Sequence, residues 1–315
     1  MRNYLDLEPS KSFPYMRDVC INTIYEYAKK NKNIYFTTPD MGAPALDKFR
    51  SNIPKQFIHS GICEQHMIAM AAGLTLMNKI VFCYAMAPFI TSRCYEQIKC
   101  SISAMNQPVT LIGIGVGLGY ADAGPTHYTT EDIATMRVFP NIEILTPCDE
   151  ISTREMTIEC IKNPKFRFLR LDRDALPEIY NEKNKFNLEK GWTKIYGDTK
   201  KTCLITCGYL LHKCLKVAKS KKIKDLEIID LFKLKDVPQT LIDYIKNFES
   251  LVTIEEQYLN GGLGSILLEK LSEKKIDIKI RRFGLDDRFY FENGGRDLLH
   301  TKYGLNIEKI ITEIG

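Results

Sequence analysis

One carboxylate, Glu64, stands at the start of an apolar helical pattern within residues 57–76, FIHSGICEQHMIAMAAGLTL. Residues 67–76 contain no Lys or Arg, so the adjoining sequence offers Glu64 no salt-bridge partner. Burial without a partner raises the pKa of a carboxyl group, which allows it to donate or share a proton near neutrality. A structural role is the alternative, because the free N–H groups and the dipole of a helix also favour Glu in a first turn.

A second candidate, His127, ends the glycine-rich segment 111–127, LIGIGVGLGYADAGPTH. The glycines allow positive φ angles and a close approach of the backbone to a ligand. Their spacing matches neither a Walker loop nor the GxGxxG dinucleotide motif. An unperturbed imidazole titrates near pH ~6.5 and can polarise a hydroxyl or carbonyl beside a ligand. A lone loop histidine is often structural, so the catalytic prediction for His127 depends on Glu64 lying in the same cleft.

Alternating strand and helix patterns indicate the elements that must position these residues. Short apolar runs predict buried strands at 34–36, 80–84, 109–113, 142–145 and 166–169. Three- and four-residue apolar spacing, or an acidic first turn, predicts helices at 17–30, 64–77, 92–105 and 149–161. This alternation is typical of a mainly parallel sheet with helices on both faces.

A polar segment at 178–192 interrupts the alternation, which restarts at 202–206 and continues at 212–220, 227–230, 251–254, 264–271 and 276–281. We therefore predict an α/β protein with a first domain at 1–180, a linker at 181–192 and a second domain at 193–315. Apart from Glu255 and Glu256, the second domain has few candidate acid–base groups, so we expect it to be a scaffold or interface.

The composition is that of a soluble protein, with 44% hydrophobic and 26% charged residues and a net charge of +5. The lysines are scattered among acids, and no apolar stretch reaches the ~18 residues of a membrane span, so we predict neither nucleic-acid nor membrane binding. The cysteines lie mostly in apolar runs without CxxC pairs, which predicts buried thiols in a reducing cytoplasm and no zinc site; examples are Cys20, Cys63, Cys83, Cys203 and Cys207.

Five ordered motifs resemble the C-terminal section of transketolases: GICEQH at 61–66, APFITSRCYEQIK at 87–99, AGPTHYTTED at 123–132, FPNIEILTPCDE at 139–150 and RLDRDALP at 170–177. The segments TCGYLLHK, TIEEQYLNGGLGS and KYGL are similar to the C-terminal domain of that family. Single-chain members begin with a further domain, whose Gly-Asp-Gly and Asn motif binds Mg²⁺ and the diphosphate of thiamine diphosphate. That motif is absent here, so the resemblance implies one subunit of a split enzyme, with a pyrimidine-binding domain and a C-terminal domain.

The resemblance implies cofactor roles for five residues. Glu64 would hydrogen-bond the aminopyrimidine of thiamine diphosphate and favour its imino tautomer, which takes the thiazolium proton and leaves a nucleophilic ylide. Phe89 would stack on the aminopyrimidine, although the residue type alone also fits ordinary core. Met86 stands where a second Phe is common, and Asp40 and Met41 match residues beside the cofactor.

Three residues match substrate contacts of the family. His127 would contact sugar hydroxyls, and Arg17 and Arg173 would bind a substrate phosphate, which suits the planar fork of arginine. The chain departs from the family at three other positions: Ala123 replaces an Asp, Gly115 a second His and Pro44 a phosphate-binding Ser. Cofactor activation is therefore better supported than the ordinary pentose phosphate substrates.

The resemblance predicts transfer of a two-carbon ketol unit from a ketose to an aldehyde. A partner subunit would hold the diphosphate and Mg²⁺, and two copies of this chain would form the central dimer of an α₂β₂ enzyme. Decarboxylation of a 2-oxo acid is the alternative, as in deoxyxylulose phosphate synthases and 2-oxo acid dehydrogenase beta subunits. EQH in place of EQN and the missing second His favour it, whereas RCYEQIK with Arg17 and Arg173 favours transketolase. A third possibility is a non-catalytic subunit that retains the fold.

Overall fold

The computed structural model describes residues 13–39 and 42–314. The first half forms a six-stranded parallel sheet with strand order β2-β1-β3-β4-β6-β5. Its central strands are buried on both faces, as the continuous apolar runs predict. The strands are β1 Ile34–Thr38, β2 Phe57–His59, β3 Ile80–Met86, β4 Val109–Ile114, β5 Glu143–Leu145 and β6 Arg167–Leu171.

The helices of this half are α1 Met16–Ala28, α2 Asp47–Asn52, α3 Glu64–Leu76, α4 Ala87–Ile90, α5 Tyr95–Gln97, α6 Asp132–Met136 and α7 Glu150–Lys162. The single helix predicted at 92–105 is wrong. That segment is a 3₁₀ turn, Ser92–Cys94, followed by α5 and a π-helix, Ile98–Ser103. Thr91 precedes this segment with φ −102° and ψ −86°, outside helical geometry, so α4 ends before the segment begins.

The second half forms a five-stranded sheet with strand order β11-β10-β8-β9-β7, parallel except for the antiparallel edge strand β7. Its strands are β7 Trp192–Tyr196, β8 Thr202–Thr206, β9 Leu226–Leu231, β10 Ser250–Tyr258 and β11 Lys279–Leu285. Its helices are α8 Tyr209–Ser220, α9 Gln239–Ile245, α10 Leu263–Glu273, α11 Arg296–Lys302 and α12 Ile307–Ile314. The predicted α/β class with two mainly parallel sheets is confirmed. The short strand β2 and the edge strand β7 are not among the predicted elements.

All ten cysteines are free thiols. Burial raises the pKa of Cys20 to about 12, as expected for an inert thiol of the core. The predicted burial of Cys63 is wrong, because this residue precedes α3 at the surface. Within the described ranges, no helix is both long and apolar enough to cross a membrane.

A buried ion cluster centred on Arg296 joins the two halves. Arg296 Nη2 lies 2.7 Å from Asp172 Oδ2, which follows β6, and Arg296 Nε lies 2.6 Å from Glu256 Oε1 on β10. Its guanidinium carbon lies 3.4 Å from the ring centroid of Tyr209, and Glu256 also contacts His300. Burial alone raises the pKa of Glu256, but Arg296 and His300 more than reverse this, so the pKa lies well below its usual range.

Replacement Arg296→Met is expected to lower the free energy of unfolding by about 3–5 kcal/mol, because it leaves Asp172 and Glu256 as buried charges without their cation. Urea denaturation at pH 7 measures the effect. The control Arg154→Ala removes an exposed ion pair with Glu150 on α7 and should cost no more than about 1 kcal/mol. Equal losses in the two variants would show that the cluster does not stabilise the domain contact.

Candidate active site

The predicted site residues follow strands of the six-stranded sheet. Because the strands are parallel, their carboxyl ends lie at one edge, where ligands bind in open α/β sheets. Glu64 follows β2, Phe89 follows β3, His127 follows β4 and Arg173 follows β6. Met86 is the last residue of β3 and is half-buried. Chain topology thus brings side chains from distant segments to the same edge.

Glu64 is the first residue of α3 and is only 3% exposed. The premise that it has no partner is wrong. Arg93 Nη1 lies 2.8 Å from Glu64 Oε2, across a sequence separation of 29 residues. The cation comes from the 3₁₀ turn after α4 rather than from α3, so the sequence around Glu64 does not reveal it.

Arg93 also lies on the ring of Phe89, with its guanidinium carbon 4.0 Å from the ring centroid. The Gln65 amide donates to the Arg93 carbonyl at 3.1 Å and anchors the turn to α3. Arg93 is not among the residues predicted from the sequence. One signal for it exists: Arg93 follows Phe89 by about one helical turn within the motif 87–99, which favours a contact between cation and ring.

His127 is connected to Glu64 through Phe89 and Arg93. Its ring centroid lies 5.3 Å from that of Phe89, with an interplanar angle of 68°, and its Nδ1 lies 2.8 Å from Thr126 Oγ1. Glu64, Arg93, Phe89 and His127 therefore form one contiguous group. Phe89 is half-buried, with Arg93 over its ring and His127 in edge contact, so it is not an ordinary core residue.

The two arginines predicted to bind phosphate each pair with a neighbouring carboxylate. Arg17 Nε lies 2.9 Å from Asp18 Oδ1, and Arg173 Nη1 lies 2.5 Å from Asp122 Oδ1. Burial raises the pKa of Tyr120, whereas the positive charges of Arg173 and Arg17 both lower it in part. Of the two cations, Arg173 contacts this phenol directly, with its guanidinium carbon 4.6 Å from the ring centroid of Tyr120.

The start of α1 reaches this edge of the sheet through an antiparallel bridge between Tyr15 and Ala175. The bridge places Arg17 beside the segment that follows β6, although Arg17 precedes β1 in the chain. Asp40 and Met41 lie outside the described residues. No group of three or more His, Cys, Asp or Glu side chains in the described part of the chain is arranged to hold a metal ion.

Tyr120 explains one departure from the family pattern. Gly115 has φ +81°, and a Cβ at this position would lie 2.1 Å from the Tyr120 ring. A histidine therefore does not fit at position 115 in this backbone, because Tyr120 fills the space that its side chain needs. Ala123 is exposed, and Pro44 is exposed at the start of a 3₁₀ turn, Pro44–Leu46.

The fold and the site together define a two-domain α/β protein in which an arginine connects a buried carboxylate to a half-buried aromatic ring at the edge of a parallel sheet. Residues 14–178 match the transketolase pyrimidine-binding domain, and residues 191–310 match the transketolase C-terminal domain. The chain belongs to the transketolase family.

Two relatives have similar lengths. An apulose-4-phosphate transketolase subunit of Phocaeicola vulgatus is 29% identical, and the alignment covers 92% of this chain and 93% of that protein. A putative transketolase C-terminal section of Methanocaldococcus jannaschii is 30% identical, with 93% and 92% covered. The 1-deoxy-D-xylulose-5-phosphate synthase of Methylacidiphilum infernorum is 27% identical over 97% of this chain but only 48% of its own length.

A solved structure of a split-gene transketolase, an inactive beta4 tetramer, superimposes with a TM-score of 0.82 at 26% identity. The superposition covers 95% of this chain and 98% of that one. The similarity therefore extends over both sheets and is not confined to the candidate site.

Proposed function

We propose that this chain is the C-terminal subunit of a split transketolase-like enzyme that transfers a two-carbon ketol unit from a ketose, expected to be phosphorylated, to an aldehyde. The observation that carries this proposal is the buried carboxylate of Glu64, which is connected to the ring of Phe89 through the Arg93 guanidinium. These residues belong to the first domain. We propose that this domain comprises residues 1–180 and that a linker at 181–192 joins it to a second domain at 193–315.

The residues present fit thiamine diphosphate. The guanidinium of Arg93 is a planar cation that contacts a Glu64 oxygen and the Phe89 ring together. An aminopyrimidine is likewise planar and needs the same two partners, a carboxyl group and an aromatic ring. Met86, Asp40 and Met41 are also proposed to contact the cofactor. When bound, the cofactor supplies an electron sink for cleavage of the bond beside a ketone.

The residues of this chain would act as follows. Glu64 would hold a proton in its hydrogen bond to the pyrimidine ring nitrogen, in a place from which burial excludes water. His127, fixed by Thr126, would donate a hydrogen bond to a sugar hydroxyl. Arg17 and Arg173 would exchange their carboxylate partners for the oxygens of a substrate phosphate.

A partner subunit is proposed to supply the diphosphate site and Mg²⁺, since this chain offers no counterpart of the Gly-Asp-Gly motif. The apolar helix α3 supports a central dimer of two copies of this chain in an α₂β₂ enzyme. Ala69 and Leu76 on this helix are exposed, as are Ile62 before it and Met77 after it, and exposed apolar residues favour a protein interface. The free cysteines support a cytoplasmic location.

Decarboxylation of a 2-oxo acid is the second candidate. The similarity to a 1-deoxy-D-xylulose-5-phosphate synthase over 97% of this chain favours it, as does Gly115 in place of a second histidine. The two candidates share the cofactor and differ in the donor, so donor specificity separates them.

The reconstituted pair of subunits is expected to consume a ketose phosphate together with an aldehyde acceptor and to release a shortened aldose phosphate. The measurement is product formation with ketose phosphate, hydroxypyruvate or pyruvate as the donor, with each subunit alone as the control. Neither subunit alone should turn over. Activity with pyruvate and none with the ketose would replace ketol transfer by decarboxylation.

Replacement Glu64→Gln is expected to lower kcat of the pair about 10²–10⁴-fold, because the amide retains the shape of the side chain but cannot hold the transferable proton. Steady-state rates at saturating thiamine diphosphate measure the loss. Glu26→Gln, which removes an exposed carboxylate on α1 paired with Lys29, is the matched control and should keep full activity. Full activity of the Glu64 variant would favour the third hypothesis, a non-catalytic role of this chain in the pair.

Replacement Arg173→Ala is expected to raise KM for a phosphorylated ketose about 10–100-fold, since it removes a charge-assisted hydrogen bond to the phosphate. KM for hydroxypyruvate, which has no phosphate, should change less than twofold. Asp122→Asn should lower KM for the phosphorylated donor, because it frees Arg173 from its carboxylate. A parallel rise of KM for both donors in the Arg173 variant would rule out a specific phosphate contact.

A further inference from the structure

We propose that Arg93 takes the place of the cofactor's aminopyrimidine in the cofactor-free chain, and that thiamine diphosphate binds by displacing the Arg93 side chain. This inference rests on the proposed function and adds a competing state to it. The Arg93 side chain contacts Glu64 and Phe89, the same two residues that are proposed to contact the aminopyrimidine.

The first contact is the ion pair with Glu64. The carboxylate is 3% exposed and Arg93 is 39% exposed, so a surface side chain reaches inward to a buried charge. A buried carboxylate without a counter-ion is strongly unfavourable. Arg93 therefore stabilises Glu64 while no ligand is bound, and any group that takes over the carboxylate must compete with it.

The second contact is the guanidinium on the ring of Phe89, at 4.0 Å from the centroid. A cation at this distance is attracted by the electron-rich face of the ring. His127 meets the same ring in edge contact at 5.3 Å. One planar group of this chain thus already makes both contacts that the proposal assigns to the aminopyrimidine.

The backbone around Arg93 is anchored, so its side chain can leave without unfolding the turn. Gln65 donates to the Arg93 carbonyl at 3.1 Å, and Cys94 Sγ donates to the Phe89 carbonyl at 3.2 Å. Ser92 Oγ lies 3.3 Å from a carboxylate oxygen of Glu131. Rotation about the side-chain bonds of Arg93 would break its contacts with Glu64 and the ring while these three hydrogen bonds stay intact.

Competition between Arg93 and the cofactor predicts the direction in which the affinity for thiamine diphosphate changes when Arg93 is removed. The apparent affinity for a ligand falls by the fraction of molecules in which the site is open. Removing Arg93 should therefore strengthen cofactor binding. An arginine that helped to hold the cofactor would have the opposite effect, because its loss would weaken binding.

Calorimetric titration of the reconstituted complex with thiamine diphosphate and Mg²⁺ measures this affinity. Arg93→Ala is expected to bind about tenfold more tightly than the wild type, because the ion pair and the cation–π contact no longer compete. The matched control is Arg281→Ala. Arg281 is 40% exposed, pairs with Glu313 at 2.6 Å and lies 5.1 Å from the Phe283 ring in the second domain. The Kd of the Arg281→Ala complex for thiamine diphosphate should equal that of the wild type.

Thermal unfolding of the cofactor-free complex provides a second readout. Arg93→Ala should lower Tm, whereas Glu64→Gln/Arg93→Ala should recover it, because no buried charge remains without a partner. If the alanine variant fails to assemble, Arg93→Lys retains the charge without the planar contact and should bind the cofactor more tightly than the wild type by a smaller factor.

Three outcomes separate the two proposals. Absence of cofactor binding by the wild-type complex overturns the proposed function and this inference with it. Binding by the wild type, with equal or weaker binding by the Arg93 variants, overturns the inference about Arg93 alone. Tighter binding by the Arg93 variants than by the wild type supports both.

Discussion

The parallel direction of the six strands in the first domain is the constraint on which the candidate site depends. It brings the carboxyl ends of β2, β3, β4 and β6 to one edge, and each is followed by a segment that carries a polar or aromatic site residue. Strands β3, β4 and β6 are buried along most of their length. The site residues lie on the segments that follow the strands, where variation does not disturb the core.

Ion pairs between buried side chains also hold distant segments of the chain together. Arg170 Nε lies 2.7 Å from Asp132 Oδ2, with both side chains buried, and Arg296 joins Asp172 of the first domain to Glu256 of the second. These pairs involve two buried partners and hold segments in place. The pair of Glu64 and Arg93 differs because Arg93 is 39% exposed. A cation at the surface can leave, which is the physical basis for distinguishing this ion pair from the structural ones.

The substrate end of the site shows how one side chain alters its neighbours. The ring of Tyr120 occupies the space beside Gly115, and Arg173 lies 4.6 Å from the ring centroid. Asp122 then pairs with Arg173 at 2.5 Å. The Tyr120 ring therefore both excludes a histidine at position 115 and contacts the Arg173 guanidinium.

The sequence by itself determined the α/β class, the two sheets, the identity of Glu64 and His127 as candidates and the resemblance to transketolases. Apolar periodicity and short motifs are local properties, so they can be read along the chain. Only the tertiary structure decided which charge meets Glu64, because Arg93 is 29 residues away and no local pattern encodes that contact. The same holds for the contact of Arg173 with the Tyr120 ring, which depends on packing between distant segments and not on propensity.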